Sequence, residues 1–345
     1  MRAAILYELN KPLVVEDLTA ADPGYGQVRV RIAASGVCHT QISEARGCRG
    51  PDKFLPHTMG HEGAGVVEAI GPGVTRVKAG DHVILTWIKG PGINAAPPAY
   101  AVGGRKINAG QITTFQDEAV VAENRVVPIR KDMPLDKAAL IGCAVATGAG
   151  AVFNTARPKP GSAVLVFGAG GIGLCAIQAA ALTNAGKVIA VDIHDHKLAL
   201  ARAFGATHVV NAKTQDVVPA VLELTGGRGA DVAIEAAGIR ETMEQAFQSI
   251  RADGGLAILI GNLAKGMPIS IDPFMLICGK QIVGSWGGAT DPAQDFPRYV
   301  DLYMTGKLKL DELITHRFRL DDVNAALEAV EQGKAGRAII EFPGR

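Results

Sequence analysis

No Cys-x-x-Cys pair occurs in this sequence, and its five cysteines are an odd number. With no leader-like segment ahead of the strand-like pattern that starts at Met1-Arg2-Ala3-Ala4-Ile5, this usage points to a reducing, cytoplasmic setting. No stretch holds eighteen uninterrupted apolar residues; the apolar stretch from Ala163 to Ala181 is broken by a glycine cluster, so no membrane span is expected. Charge of one sign is also missing: 35 Lys and Arg offset 34 Asp and Glu, with no long run of either. Nucleic acid and anionic membrane surfaces are therefore not expected partners. Internal repeats and low-complexity tracts are absent.

What is present is glycine and apolar residues, 42 glycines and 48% apolar in 345 residues, enough for about two well-buried α/β domains. Up to about residue 145 the chain alternates short β-type runs with Gly/Pro turns. Val28 to Ile32 alternates with period two, Gly63 to Ile70 leads into Gly71-Pro72-Gly73, and Asp81 to Leu85 follows. This spacing predicts a β-barrel-like domain. The segment 89–110, rich in Gly, Pro, Ala and Asn, reads as a long loop. From Ser162 strands and helices alternate, the pattern of a parallel sheet. Strands are predicted near 163–167, 187–191, 207–210, 231–235, 255–260 and 281–285, with helices at 171–184, 195–204, 214–224, 240–251 and 272–278. A tail helix near 321–332 and strand near 337–342 are expected to pack back on the first domain.

Three residues read as one metal site: Cys38 in Gly36-Val37-Cys38-His39-Thr40, His61 in Gly60-His61-Glu62, and Cys143 in Gly142-Cys143. Two thiolates and an imidazole suit Zn²⁺, and three protein ligands leave the fourth position open, as a catalytic zinc requires. Cys175 and Cys278 read as buried or semi-buried small apolar residues, and Cys48 as a loop residue.

The strand Val164 to Phe167 runs into Gly168-Ala169-Gly170-Gly171-Ile172-Gly173, and Asp192 closes the next strand nineteen residues past Gly173. In that context the glycines are a dinucleotide fingerprint, with the pyrophosphate at the helix N-terminus. Asp192 would accept from the adenosine ribose hydroxyls and repel a 2′-phosphate, which favours NAD over NADP. Lys197 reads as a further ribose or phosphate contact, or as an ordinary helix lysine.

With both features in hand, the chain resembles zinc-containing alcohol dehydrogenases of the medium-chain dehydrogenase/reductase superfamily over essentially its whole length. Gly36 to Thr40, Gly60-His61-Glu62, Thr113-Thr114-Phe115, Gly142-Cys143, the glycine fingerprint and Asp311 to His316 carry the resemblance. It implies an α/β protein: a GroES-like β-barrel catalytic domain from residues 1–145 and 286–345, around a doubly wound Rossmann domain at 146–285. It also implies roles. Cys38, His61 and Cys143 match the zinc ligands, and Glu62 matches an acid beside the zinc able to act as a transient ligand. Thr40 matches the hydroxyl that hydrogen-bonds the substrate alcohol, Thr147 a nicotinamide contact, and His39 and Arg337 pyrophosphate contacts. Trp87, Phe115 and Trp286 fall where the family lines its substrate cleft.

Three positions depart from the familiar pattern. Ser43 replaces a histidine that often ends the proton relay, so release is expected through His39 or to water. Gln41 replaces an aspartate that supports the ligand shell. The four-cysteine structural-zinc lobe is missing, since 89–110 contains no cysteine, and one catalytic zinc per subunit is expected. The expected activity is hydride transfer between NAD and an alcohol, aldehyde or ketone. A polyol or sugar dehydrogenase is the alternative, although such enzymes commonly carry glutamate where this chain has Cys143; a zinc-free quinone reductase or a non-catalytic NAD-binding protein would not need the ligands. The strand near 281–285 is expected at a sheet edge, where it would pair across a two-fold axis in a homodimer or homotetramer.

Overall fold

The structure, a computed structural model, describes residues 1–343, and the chain divides into two compact units. The first comprises Met1–Cys143, Asp291–Gly306 and the chain from Leu310 onward; the second comprises Ala144–Thr290 with Lys307–Lys309.

The first unit is organised around the long strand Gln27–Val37. Val28, Val30, Ile32 and Ala34 point inward, while Arg29 and Arg31 point out to Asp22 and Glu68. The alternation that predicted this strand is thus the alternation of its two faces. Beyond Ala34 both faces are buried. Glu62–Ile70 pairs antiparallel along most of the strand, Glu118–Ala122 pairs with its first half, and the C-terminal Ala338–Glu341 pairs with its last residues. That last pairing returns the chain's tail to the first unit. Val28, Val30, Ile32, Val67, Val83, Leu85 and Val126 form one core; Leu6, Val37, Met59, Phe115, Val323 and Ile340 belong to another.

The segment expected as one long loop contains a hairpin, Tyr100–Val102 with Arg105–Ile107. Its two-residue turn, Gly103-Gly104, has φ of +52° and +83°, the left-handed pair that matches strand twist. Strands of three residues are too short to show a period of two, which is why the sequence concealed them.

In the second unit six parallel strands lie in the order His208–Asn211, Lys187–Asp192, Ala163–Phe167, Val232–Glu235, Leu256–Leu259, Gln281–Gly284. The first strand of the unit is central and the order reverses beside it, which defines the doubly wound fold and its ligand crevice. Leu165, Phe167, Ile189, Val191 and Phe247 pack in its core.

Relative to the expected 146–285, this unit begins at Ala144 and runs on to Thr290. The reason is local anchoring: Thr290 Oγ1 donates to the Ala146 carbonyl at 2.8 Å, and Asn154 Nδ2 donates to the Gly288 carbonyl at 3.3 Å. Lys307–Lys309 joins it because Gln178 both accepts from Lys309 N (2.6 Å) and donates to its carbonyl (3.2 Å).

One helical run, Leu135–Ala156, is long and apolar enough to cross a membrane, but 83% of its most apolar window is buried inside the protein, as a core helix is. Cys175 is fully buried, and burial pushes its thiol up to about 12. Cys278, expected to be buried or semi-buried, is exposed at the end of the short helix Pro273–Ile277, which buries none of its residues.

Candidate functional site

Cys38 ends the long central strand and caps the helix His39–Ala45. Its backbone N–H donates to Gln41 Oε1 at 2.6 Å, while Gln41 N donates back to the Cys38 carbonyl. Gln41 is fully buried. The residue that stands in place of the expected aspartate therefore fixes the backbone of Cys38, as the acid or amide of a capping box does. Cys143 lies in the wide helical turn Ile141–Val145, an irregularity common at functional sites. Thr86 Oγ1 holds that turn by donating to the Gly142 carbonyl at 2.7 Å. His61 precedes the strand Glu62–Ile70, whose first carbonyl accepts from Ser35 Oγ (2.9 Å) and Thr114 Oγ1 (3.1 Å).

These elements bring the ligand atoms of Cys38, His61 and Cys143 within 4.8 Å of one another. Cys143 Sγ lies 3.5 Å from His61 Nε2. Zinc–ligand bonds of 2.0–2.3 Å in a tetrahedron separate neighbouring ligand atoms by about 3.5 Å, so the set fits the ion. A hydrogen bond from Cys143 holds the Cys38 thiol well below its ordinary range; burial opposes this, and His61 and Arg337 reinforce it. A thiol so lowered is a ready thiolate ligand. Cys48 is exposed and outside the cluster.

Two of the expected site residues are paired with each other. Glu62 has no exposed surface and is outside the ligand cluster. Arg337, expected at a pyrophosphate, is 5% exposed, and its guanidinium pairs with the Glu62 carboxylate. Burial lowers the Arg337 guanidinium, and Cys38 opposes that shift. The physical reason for the pairing is that a buried carboxylate demands a cation, and Ala338–Glu341 lies beside the long strand, so the residue before it is on hand. Sequence reasoning missed this pair because its members lie far apart in the chain.

Thr40 and Ser43 are both half-buried on one helix, three residues apart and so on one face, and His39 is exposed. Phe115 is a core side chain, not a cleft residue: it is fully buried with Leu6, Met59 and Val37. Trp87 is partly buried, and its carbonyl accepts from the Arg125 guanidinium. Trp286 is 78% exposed in the second unit.

In the second unit, Gly168 makes the tight turn after Ala163–Phe167 at φ +86°, and Gly171–Leu182 follows as a helix. A Cβ on Gly173 would stand 1.7 Å from the Gly168 carbonyl oxygen, so only glycine fits there. Gly170 has open space where a Cβ would project, and Ile172 is half-buried in the first turn of the helix. Asp192 Oδ2 accepts from Ala169 N at 2.8 Å; Oδ1 accepts from the backbone of Ile193 and His194 and faces His194 Nδ1 at 3.1 Å. Oδ2 retains accepting capacity for a ribose hydroxyl. Lys197 is half-buried on the next helix. Thr147 is buried, and its hydroxyl has no hydrogen-bond partner among the described residues, as a group kept for a ligand would be. The sequence also gave no sign of Glu235, fully buried at the end of its strand, which accepts from Ala237 N, Gly238 N and Thr242 Oγ1.

Comparison with known proteins agrees with this geometry. Residues 24–131 match the alcohol dehydrogenase GroES-like domain, and residues 171–305 match the zinc-binding dehydrogenase family. The chain is 35% identical to S-(hydroxymethyl)glutathione dehydrogenase of Paracoccus denitrificans, with 99% of each chain covered. An alcohol dehydrogenase zinc-binding domain protein from Burkholderia ambifaria superposes with a TM-score of 0.93 at 31% identity, covering 99% of each chain. Benzyl alcohol dehydrogenase from Acinetobacter calcoaceticus gives a TM-score of 0.90, also at 31% identity and 99% coverage of each. With Cys38, His61 and Cys143 clustered in a GroES-like unit and its glycine fingerprint in a Rossmann unit, the chain belongs to the zinc-containing alcohol dehydrogenases of the medium-chain dehydrogenase/reductase superfamily.

Proposed function

We propose that this enzyme interconverts an alcohol and its aldehyde or ketone with NAD rather than NADP, using one catalytic zinc per subunit. The observation that carries the cofactor preference is Asp192, whose carboxylate is held at the fingerprint turn by Ala169 N with Oδ2 still able to accept. When bound, zinc supplies a Lewis acid that eases loss of the alcohol proton, and NAD supplies the hydride acceptor. Cys38, His61 and Cys143 hold the metal, with Gln41 and Thr86 fixing two of the backbones that carry them. Thr40 Oγ1 accepts the alcohol proton and passes its own to Ser43 or to water, with His39 at the exposed end of the helix. A serine is no base near neutrality, so oxidation is fastest at alkaline pH. Glu62 and Arg337 form a buried ion pair, and the metal is held by the three residues. Gly168, Gly170, Gly171, Ile172 and Gly173 present the helix N-terminus to the pyrophosphate, and Thr147 contacts the nicotinamide.

Cys143 in place of a glutamate favours simple alcohols over polyols. The edge strand Gln281–Gly284, with Phe274, Ile277 and Val283 exposed about it, supports a homodimer or homotetramer built on that edge. A reducing cytoplasm fits the free thiols.

The test is a panel of primary, secondary and aromatic alcohols, S-(hydroxymethyl)glutathione and polyols, each with NAD⁺ and NADP⁺. We expect a preference for NAD⁺ that Asp192→Gly narrows by about tenfold or more, equivalent to losing one charged hydrogen bond. Wild-type preference for NADP⁺ would refute the cofactor assignment.

A further inference from the structure

A second cluster of metal-ligating side chains lies outside the catalytic centre. Glu44, Asp52 and His57 each offer a ligand atom, and the three atoms lie within 4.8 Å of one another. Glu44 is near the end of the helix that begins at His39, whereas Asp52 and His57 come from the segment that follows.

The hydrogen-bond roles at His57 call for a cation. Its side chain is 8% exposed, and its Nδ1 lies 2.9 Å from the Thr58 carbonyl. A carbonyl only accepts, so Nδ1 carries the proton. Neutral imidazole then presents a bare lone pair at Nε2. That lone pair faces Asp52 Oδ2 at 2.9 Å, and a carboxylate also only accepts. Two acceptors opposed in a buried place require a positive charge between them. Asp52 is held there by Phe54 N, which donates to its other oxygen at 2.8 Å.

A proton on Nε2 would satisfy this pair alone, whereas an ion would also engage the half-buried Glu44, whose ligand atom lies within 4.8 Å of the other two. Among the described residues no lysine or arginine forms an ion pair with Glu44 or Asp52. Arg46 is engaged by Glu331, and Lys53 lies over the Phe54 ring. A divalent ion neutralises both carboxylates while the imidazole stays neutral. One imidazole with two carboxylates is a donor set that suits Zn²⁺ and its neighbours, with water completing the shell.

We propose that Glu44, Asp52 and His57 form a second, non-catalytic site for a divalent transition-metal ion, which ties the helix carrying Thr40 and Ser43 to the segment after it. Three ligands of which two are hard oxygens bind zinc more weakly than the two-thiolate centre. This site therefore fills only with free metal in solution, whereas the catalytic zinc survives dialysis.

The experiment uses the full-length, zinc-loaded enzyme dialysed to equilibrium against buffered micromolar Zn²⁺, with bound zinc measured by elemental analysis. Wild type should take up a second equivalent, and its thermal midpoint should rise with Zn²⁺. Glu44→Gln, a half-buried helix position, and independently Asp52→Asn should abolish both effects while retaining the first equivalent and alcohol oxidation. Wild-type enzyme that stays at one equivalent overturns the proposal. So do variants that still take up the second, which would place that ion elsewhere, such as on the exposed Cys48 or Cys278.

Discussion

At the residue scale, the positions that matter most are polar groups that burial leaves no choice. Glu62 has no exposed surface, and the Arg337 guanidinium pairs with its carboxylate. Arg337→Met should therefore destabilise the protein by about 3–5 kcal/mol, since it removes one member of a buried ion pair. Adding Glu62→Gln should recover most of that loss, and urea denaturation of the single and double variants measures both. Equal midpoints for Arg337→Met and wild type would show that the pair contributes nothing. Thr40 differs because the role proposed for its hydroxyl is in the reaction itself. Thr40→Ala should lower kcat by about 10²-fold or more, and Thr40→Ser should restore most of it. A serine variant as slow as the alanine one would remove Thr40 from the proton path. Cys38, His61 and Cys143 were legible in the sequence because each sits in a short glycine-flanked motif. The partners of Glu62 and the role of Gln41 were not, because no local pattern encodes a contact between distant segments.

At the scale of elements, the strand–turn–helix at Ala163–Leu182 separates two uses of glycine. Gly173→Ala would drive a methyl into the Gly168 carbonyl, a backbone atom that cannot swing aside. It should cost about 1–3 kcal/mol of stability as well as cofactor affinity. Gly170→Ala meets no atom within 4 Å, so stability should stay near wild type while the KM for NAD⁺ rises about tenfold or more, because the methyl occupies ground the pyrophosphate needs. Thermal denaturation with NAD⁺ kinetics distinguishes the two; matching stability losses would contradict the assigned roles. The central parallel strands were predictable because, buried on both faces, they read as continuous apolar runs. The Tyr100–Val102 hairpin escaped because its strands are shorter than the pattern that would announce them.

Across the whole molecule, buried and half-buried carboxylates tie together segments that are remote in the chain. Glu123 accepts from Ile93, Thr75 and Arg76 backbone N–H groups; Asp136 is held by Lys137 and Arg317; Asp231 by Ala163 N and Arg251. Burial alone would raise each, but these hydrogen bonds and charges win, and all three lie below the ordinary carboxylate range. Their unfolded counterparts protonate first, near pH 4. Their contribution to stability is therefore complete above that pH and is lost as acidification carries them through their lowered folded values. Glu235 works in the opposite sense. Burial raises it, so what it contributes is present at low pH and is lost as pH rises through its raised value. Three lowered groups outnumber one raised group, so the urea midpoint should fall steadily below about pH 4. A midpoint flat from pH 6 down to 3 would contradict this.

The sequence by itself determined the family, the three metal-ligating residues that cluster, the doubly wound sheet and the acid after the glycine fingerprint. Each of these is written in residues close together or in a repeating period, and such signals need no partner to be read. Only the tertiary structure decided that Arg337 pairs with Glu62, that Gln41 pins Cys38, that Phe115 is core, and that His57 faces Asp52. Those facts depend on which charges lose their water on folding and which groups are near enough to replace it, and neither is encoded along the chain.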